Sequence, residues 1–319
     1  MLLPSWAREY IYPLRIPTPF AVGDVFSYLI KDEKNVLIDC GYYSKKAEED
    51  LDKLLKEEGL ILADLDEIWL THGHPDHFGQ AAHLGNLSGA VIYGHPKEQD
   101  NFGGGDNQEL FRTFFEEHQI PKTFVNQMIE QLDWLQQFSE PLRPKPIQEG
   151  EELSSGSLSV VVKHTPGHAP GHVVFDTQKG LIFGGDLLLE HISTNALINF
   201  DPDTEQRNKS LLQYRNSLKW ISGQKGVVLP GHGNLIKDIG GVANHHLTEH
   251  ENRYQKIQML LEKRPMRLME IAQRLFAEAI EKGATFLVLS EVMGYLDWGI
   301  QEGTMTSEVT SNGIIFKMP

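Results

Sequence analysis

This chain is short of thiols: Cys40 is its one cysteine, so no internal disulfide framework can staple it. It is also short of positive charge, with 29 Lys and Arg against 44 Asp and Glu and a formal net charge of −15. Broad attraction to nucleic acid needs Lys and Arg to neutralise phosphates, so that class of partner is disfavoured, although a local basic groove is not excluded. No apolar run approaches the roughly 20 residues of a membrane-spanning helix, so no membrane partner is expected. The first residues, Met-Leu-Leu-Pro-Ser-Trp-Ala-Arg-Glu-Tyr, lack a basic start followed by a long apolar stretch, and no secretory leader is read there. A cytoplasmic location is the default expectation. The 319 residues, 40% of them hydrophobic, suffice for more than one compact unit or for one large domain with an appendage.

What the chain does have is a concentration of metal ligands. Thr71-His72-Gly73-His74-Pro75-Asp76-His77 follows the strand-like Ile68-Trp69-Leu70, and four of its residues, His72, His74, Asp76 and His77, can bind an ion. Three more candidates come downstream: His168 in Thr-Pro-Gly-His, Asp186 in Phe-Gly-Gly-Asp and His232 in Leu-Pro-Gly-His-Gly. Imidazole and carboxylate without thiolate suit Zn, Fe, Mn or Ni and point to catalysis. Seven ligands are too many for one tetrahedral ion and about right for two that share a bridging carboxylate. An isolated histidine is usually a surface or satisfied core residue, but that explanation fails for four strand ends that each carry a ligand beside turn glycines or prolines.

The surrounding pattern alternates strands and helices. Residues 25–30 and 35–39 read as a hairpin around Lys31-Asp32-Glu33-Lys34. Residues 44–59 read as an amphipathic helix, with Ser44 to cap it, Leu51, Leu54 and Leu55 on one face and Gly59 to end it. Short strands are read at 68–70, 90–93, 160–163, 173–176, 181–183 and 227–229, with a helix over 79–87. Every ligand candidate is therefore expected on a loop just past a strand, where a rigid sheet presents functional groups.

His-Gly-His-Pro-Asp-His, followed in order by Pro-Gly-His, Gly-Gly-Asp and Pro-Gly-His-Gly, resembles the metallo-β-lactamase superfamily over about residues 20–240. The resemblance implies an α+β fold, an αββα sandwich with a dinuclear site at one edge of its two sheets. It implies that His72, His74 and His168 bind a first metal, that Asp76, His77 and His232 bind a second, and that Asp186 bridges them. A hydroxide shared by the two ions is then the nucleophile, and Asp76 steers it as well as binding metal. The Thr-Pro-Gly-His-Ala-Pro-Gly-His pattern is similar to the glyoxalase-II-like branch, which cleaves thioesters, esters and lactones.

The remaining features carry weaker expectations. His191, five residues past Asp186, is a candidate for substrate contact or proton donation, with a solvent-facing role the alternative. His164 and His172 read as supports for ligands. His83 and His95 read as bland, Cys40 as a packing residue, and the cluster His245, His246 and His250 as an exposed helix start. Residues 96–149 depart from a minimal fold. Phe102-Gly103-Gly104-Gly105 reads as a flexible joint, followed by two helices striped by Leu110, Phe111, Phe114 and Phe115 and by Val125, Met128, Ile129, Leu132 and Leu135. They form either a lid over an apolar or acyl part of the substrate or a pair of helices that bury their stripes on the sandwich.

Residues 245–319 form a second departure: three helical stretches and a hairpin-like tail, similar to the winged-helix module of the β-lactamase-like-protein-2 branch. Ten acidic against eight basic residues make it a poor RNA clamp, and it reads as a packing or homodimerisation element. The expected organisation is a catalytic domain over 1–244, with the helical insertion, and a winged-helix-like domain over 245–319. The expected function is hydrolysis of a small-molecule ester, thioester or lactone by two divalent ions, Zn foremost with Fe or Mn as alternatives. A phosphodiesterase or endoribonuclease and a mononuclear-iron sulfur dioxygenase are the competing readings.

Overall fold

Strands that are apolar on both faces need cover on both sides, and this fold supplies it. The computed structural model describes residues 3–103, 105 and 107–319. A first sheet has the order β1 (Ile11–Ile16), β2 (Val25–Lys31), β3 (Asn35–Ile38), β4 (Glu67–Trp69), β5 (Val91–Gly94), β6 (Lys145–Pro146). Its first three strands pair antiparallel and β3 to β6 pair parallel. A second sheet holds β7 (Glu152–Ser154), β8 (Ser159–His164), β9 (Val173–Asp176), β10 (Leu181–Gly185) and β11 (Val227–Pro230) in simple sequence, antiparallel except for β10 beside β11.

Side chains alternate across each strand. Val36 and Ile38 of β3 and Leu181 and Phe183 of β10 point between the sheets, where they meet Trp69, Val162 and Phe175. Leu37 and Ile68 point outward to α1 (Lys45–Glu57), α2 (Pro75–Phe78) and α3 (Ala81–Ser88) through Leu51, Leu55, Phe78 and Leu84. The fold is thus a mixed α/β sandwich with helices outside both sheets. Ser44 caps α1, its side chain accepting from the Ala47 amide, and Gly59 follows it with φ 76°.

The insertion is made of α4 (Gln99–Gly103), α5 (Gln108–Glu117) and α6 (Lys122–Gln136). Gly104, the centre of the expected glycine joint, lies outside the described residues, as do Met1 and Leu2. After the second sheet's α7 (Ser210–Ser222) come α8 (Ile239–Leu261), α9 (Leu268–Glu281), α10 (Thr285–Gln301) and the hairpin β12 (Thr306–Thr310) and β13 (Gly313–Lys317). All of these share one apolar core with the outer face of the second sheet: Val174, Ile182 and Val228 meet Tyr214, Ile257, Leu289, Tyr295 and Phe316. Phe114, Phe115, Val125, Met128 and Ile129 of the insertion join that same core.

Two readings of the sequence change. α8 begins at Ile239, ahead of the helix start read at His245, His246 and His250, because Asp238 caps it by accepting from the Gly241 amide; Gly240 and Gly241 are poor helix formers and disguise the start. The 244/245 boundary therefore falls inside one helix. His246 and His250, expected near an exposed helix start, are buried. Burial, followed by the charges of Arg215 and Arg253, pushes His250 down to about 3. As pH falls the unfolded chain takes up that proton from its ordinary value near 6.5, whereas the folded chain does not. The stabilisation by neutral His250 is complete above about pH 6.5 and is lost as pH falls toward about 3. Between pH 7 and pH 5 its loss amounts to about 2 kcal/mol, and His250→Gln should reduce the fall in unfolding free energy by that amount when urea titrations at the two pH values are compared.

Candidate metal centre

The ligand-bearing segments all leave their sheets at the same edge. Asp39 follows β3, the 71–77 segment follows β4, Thr165 to His172 joins β8 to β9, Asp186 follows β10 and His232 follows β11. The 71–77 segment is not wholly a loop: Pro75, at the first helical position, starts the short α2 that carries Asp76 and His77.

The structure brings His72, His74, Asp76, His77, His168, Asp186 and His232 together. Potential ligand atoms of His72, His74 and His168 lie within 4.8 Å of one another, as do those of His72, His77 and Asp186 and those of Asp76, His77 and His232. Asp186 sits between the groups, with Oδ1 at 3.4 Å from His77 Nε2 and Oδ2 at 3.6 Å from His168 Nε2 and 3.7 Å from His232 Nε2. Asp76 Oδ2 is 3.3 Å from His232 Nε2. Ligands held about 2.1 Å from a tetrahedral ion lie about 3.4 Å apart, so these spacings match the edges of coordination polyhedra.

The hydrogen bonds decide which nitrogen each ring offers. His77 Nδ1 bonds Asp39 Oδ2 at 2.8 Å, His168 Nδ1 the Asn195 carbonyl at 3.0 Å, and His232 Nδ1 the Asp24 carbonyl at 2.8 Å. His72 Nδ1 bonds Thr71 Oγ1 at 3.0 Å, while that hydroxyl donates to Asp39. Because each Nδ1 faces an acceptor it carries a proton, and each Nε2 is the nitrogen left to offer a lone pair to an ion. The Nε2 atoms of His72, His77, His168 and His232 and Asp186 Oδ1 are buried without a hydrogen-bond partner. Such atoms cost free energy unless something else satisfies them, and a cation does so for all of them at once. Gly231 keeps the space open: a Cβ there would lie 2.4 Å from Asp186 Oδ1 and 2.6 Å from His77 Cε1.

Electrostatics agree with the donor set. Burial, with neighbouring imidazoles adding to it, holds His72 well below the ordinary histidine range and His74 at about 3, so both are neutral donors. Burial opposes protonation of His77 too, but the carboxylates of Asp186, Asp76 and Asp39 overcome it and push that ring well up. Burial raises Asp186, yet His232 and His77 pull it well below the carboxylate range. The side around Asp76, His77, Asp186 and His232 thus calls for positive charge.

Other expected residues fall elsewhere. His191 is not brought into the group: its side chain is 78% exposed and lies 3.2 Å from Glu190. His172 supports the site, since its Nε2 accepts from the Asp186 amide at 3.1 Å and its Nδ1 bonds Thr165 Oγ1 at 2.9 Å. His164 Nε2 donates to the Pro170 carbonyl, and His95, read as bland, is buried and stacks on His164 at 4.3 Å. Cys40 is buried, with its thiol pushed well up by burial.

Two carboxylates escaped the sequence reading. Asp39, at φ 53°, accepts from the Thr71 amide, the Thr71 hydroxyl and His77. Glu98 is fully buried; its Oε1 accepts from the Gly171 amide at 2.6 Å and its Oε2 from the Gly73 amide at 3.2 Å, tying two ligand loops together. A cavity of about 370 Å³ opens beside His74 and His168, lined also by α5, α6 and the start of α10.

Comparison with known proteins agrees with this geometry. The sequence profile of the Metallo-beta-lactamase superfamily matches residues 21–232. The chain is 30% identical to "Probable metallo-hydrolase YqjP" of Bacillus subtilis (strain 168), over 97% of this chain and 98% of that one. It is 31% identical to the hydroxyacylglutathione hydrolase GloC of Haemophilus influenzae, over 51% of this chain and 66% of that one. A metallo-beta-lactamase family protein from Thermus thermophilus superposes with a TM-score of 0.83 at 25% identity, covering 98% of this chain and 99% of that one. Among the described residues, no helix is long and apolar enough to cross a membrane. The chain belongs to the metallo-beta-lactamase superfamily and is a metal-dependent hydrolase.

Proposed function

We propose that this protein is a dinuclear hydrolase of carbonyl esters, thioesters or lactones. The observation that carries the reading is the convergence of four unpartnered Nε2 atoms and Asp186 Oδ1 in one buried volume. His72, His74 and His168 would hold one divalent ion and Asp76, His77 and His232 a second, with the Asp186 carboxylate set between the two groups. Zn is the foremost candidate, with Fe or Mn as alternatives, since mixed imidazole and carboxylate ligands accept all three. When bound, the ions supply water acidified toward neutral pH and positive charge for the carbonyl oxygen.

The chain's own groups hold the geometry and the protons. Burial raises Asp76, but His77 and His232 hold its carboxyl below the ordinary range, so it is ionised and would accept a hydrogen bond from the attacking water. Water oxygen bonds to the acyl carbon, the acyl–oxygen or acyl–sulfur bond breaks, and the leaving group departs with a proton. A thioester is favoured by the likeness to GloC, named a hydroxyacylglutathione hydrolase. The same reading takes the sandwich with its insertion as the catalytic part and the C-terminal helices and hairpin as a winged-helix-like module walling the site, with α8, which spans the expected 244/245 boundary, joining the two. His191, exposed and set against Glu190, has no part in it.

Metal content, measured with turnover on thioester, lactone and phosphodiester substrates, tests the proposal. Two ions per chain and acyl hydrolysis are expected. One iron with thiol-dependent oxygen uptake would overturn it, as would preferred phosphodiester cleavage that falls steeply with salt. Asp186→Ala should lower both metal occupancy and activity, by more than the roughly 10–100-fold that loss of an outer partner costs; wild-type turnover in that variant would sink the assignment. Asp39→Asn places an amide where His77 Nδ1 and the Thr71 groups need acceptors. Its metal affinity, read by chelator competition, should fall about 10–100-fold with the fold intact by circular dichroism.

A further inference from the structure

The cavity of about 370 Å³ beside His74 and His168 has walls of a distinct chemistry. Phe111 of α5, Phe200 from the segment after Asp186, and Phe286 of α10 meet edge to face: the Phe111 ring lies 5.2 Å from that of Phe200 and 5.7 Å from that of Phe286, at 80° and 78°. Leu132 and Leu135 of α6 and Leu287 of α10 complete the apolar wall. Three separately arriving parts of the chain therefore contribute to one surface. The insertion both packs and lines: Phe114, Phe115 and Met128 are buried in the shared core, whereas Phe111, Leu132 and Leu135 face the cavity.

Away from His74 and His168, the charge of the lining disfavours anionic occupants. Among the described lining residues Lys97 is the single Lys or Arg, and its ammonium is paired with both Asp201, at 2.9 Å, and Asp203. Asp100 and Asp133 add negative charge to the lining. A phosphate, a dicarboxylate or an RNA backbone entering here would meet carboxylates with no uncommitted Lys or Arg to answer it. An uncharged apolar group loses nothing by the same encounter. An apolar cavity of about 150 Å³ accepts benzene, so 370 Å³ accommodates on the order of a dozen heavy atoms.

We propose that this cavity is an acyl chamber that selects an uncharged, apolar acyl arm of medium length and seats it against Phe111, Phe200, Phe286 and Leu287. The inference rests on the acyl-hydrolase reading above and names its substrate class. Each methylene buried in the chamber stabilises the bound state by about 0.8 kcal/mol, which is roughly fourfold in kcat/KM until the wall is reached.

The test uses metal-loaded protein and a series of acyl thioesters from acetyl to hexadecanoyl, together with displacement of the neutral dye Nile red by primary alcohols of the same lengths. The expected result is a rise of roughly fourfold per methylene to a medium-length optimum and then a fall, with alcohol displacement peaking at the same length. Phe286→Ala should move both optima to longer chains, and Leu287→Trp, at a residue 40% exposed and so tolerant of substitution, should move both to shorter ones. A flat length profile in wild type, or optima that neither variant moves, would overturn the chamber. Absence of acyl turnover with a length-dependent displacement that both variants shift would leave the chamber standing and remove the hydrolytic assignment instead.

Discussion

An imidazole can offer a lone pair to an ion only if its other nitrogen keeps the proton, and this constraint runs through the whole site. Carbonyls of Asn195 and Asp24, the hydroxyl of Thr71 and the carboxylate of Asp39 hold the four Nδ1 protons. Each opposite nitrogen is left buried and unanswered, at a cost of about 1–3 kcal/mol for such an atom. The fold carries that cost because its large cores are satisfied elsewhere, and the strain is relieved by whatever cation arrives. The rings are oriented before binding, so little reorganisation is left to oppose it.

Orientation of one ring would be useless if the loops moved independently. Glu98 prevents this by accepting from Gly73 in one loop and Gly171 in another, while Asn101 donates to the same carboxylate at 2.6 Å. Asp39 does the equivalent within the first sheet, fixing both Thr71 and His77. Tyr28 adds a bond across the sandwich, its hydroxyl donating to the Pro230 carbonyl just ahead of His232. The two sheets therefore present their ligands as one rigid set.

The cluster was legible because chemistry and spacing coincide in its residues: four in one short run, and each of the others beside a turn glycine at a strand end. Asp39 and Glu98 were not, because a single carboxylate among 44 acidic residues has no distinguishing neighbour; only the folded register shows which amides point at it. The strand and helix order was readable from two-residue and helical periodicity, and Ser44 and Gly59 marked the ends of α1. The start of α8 was hidden by two glycines that an aspartate cap overrides. His246 and His250 resembled surface histidines because local sequence does not reveal what a helix face will meet, here the segment that follows Asp186. His191 illustrates the converse: proximity in sequence to Asp186 did not carry its side chain to the histidine and aspartate cluster.

That segment has a further consequence. It leaves Asp186 and is fastened almost entirely from downstream: Tyr214 donates to the Leu187 carbonyl, His246 to the Leu189 carbonyl, His250 bonds Ser193, and Ser290 accepts from the Ile198 amide. Between these clasps lies Asn195, whose carbonyl orients His168. The sandwich is thus not a portable cassette. An exchange or truncation downstream of His232 would slacken the His168 imidazole on the far side of the second sheet's sequence, so the sandwich and the C-terminal helices cannot be altered independently.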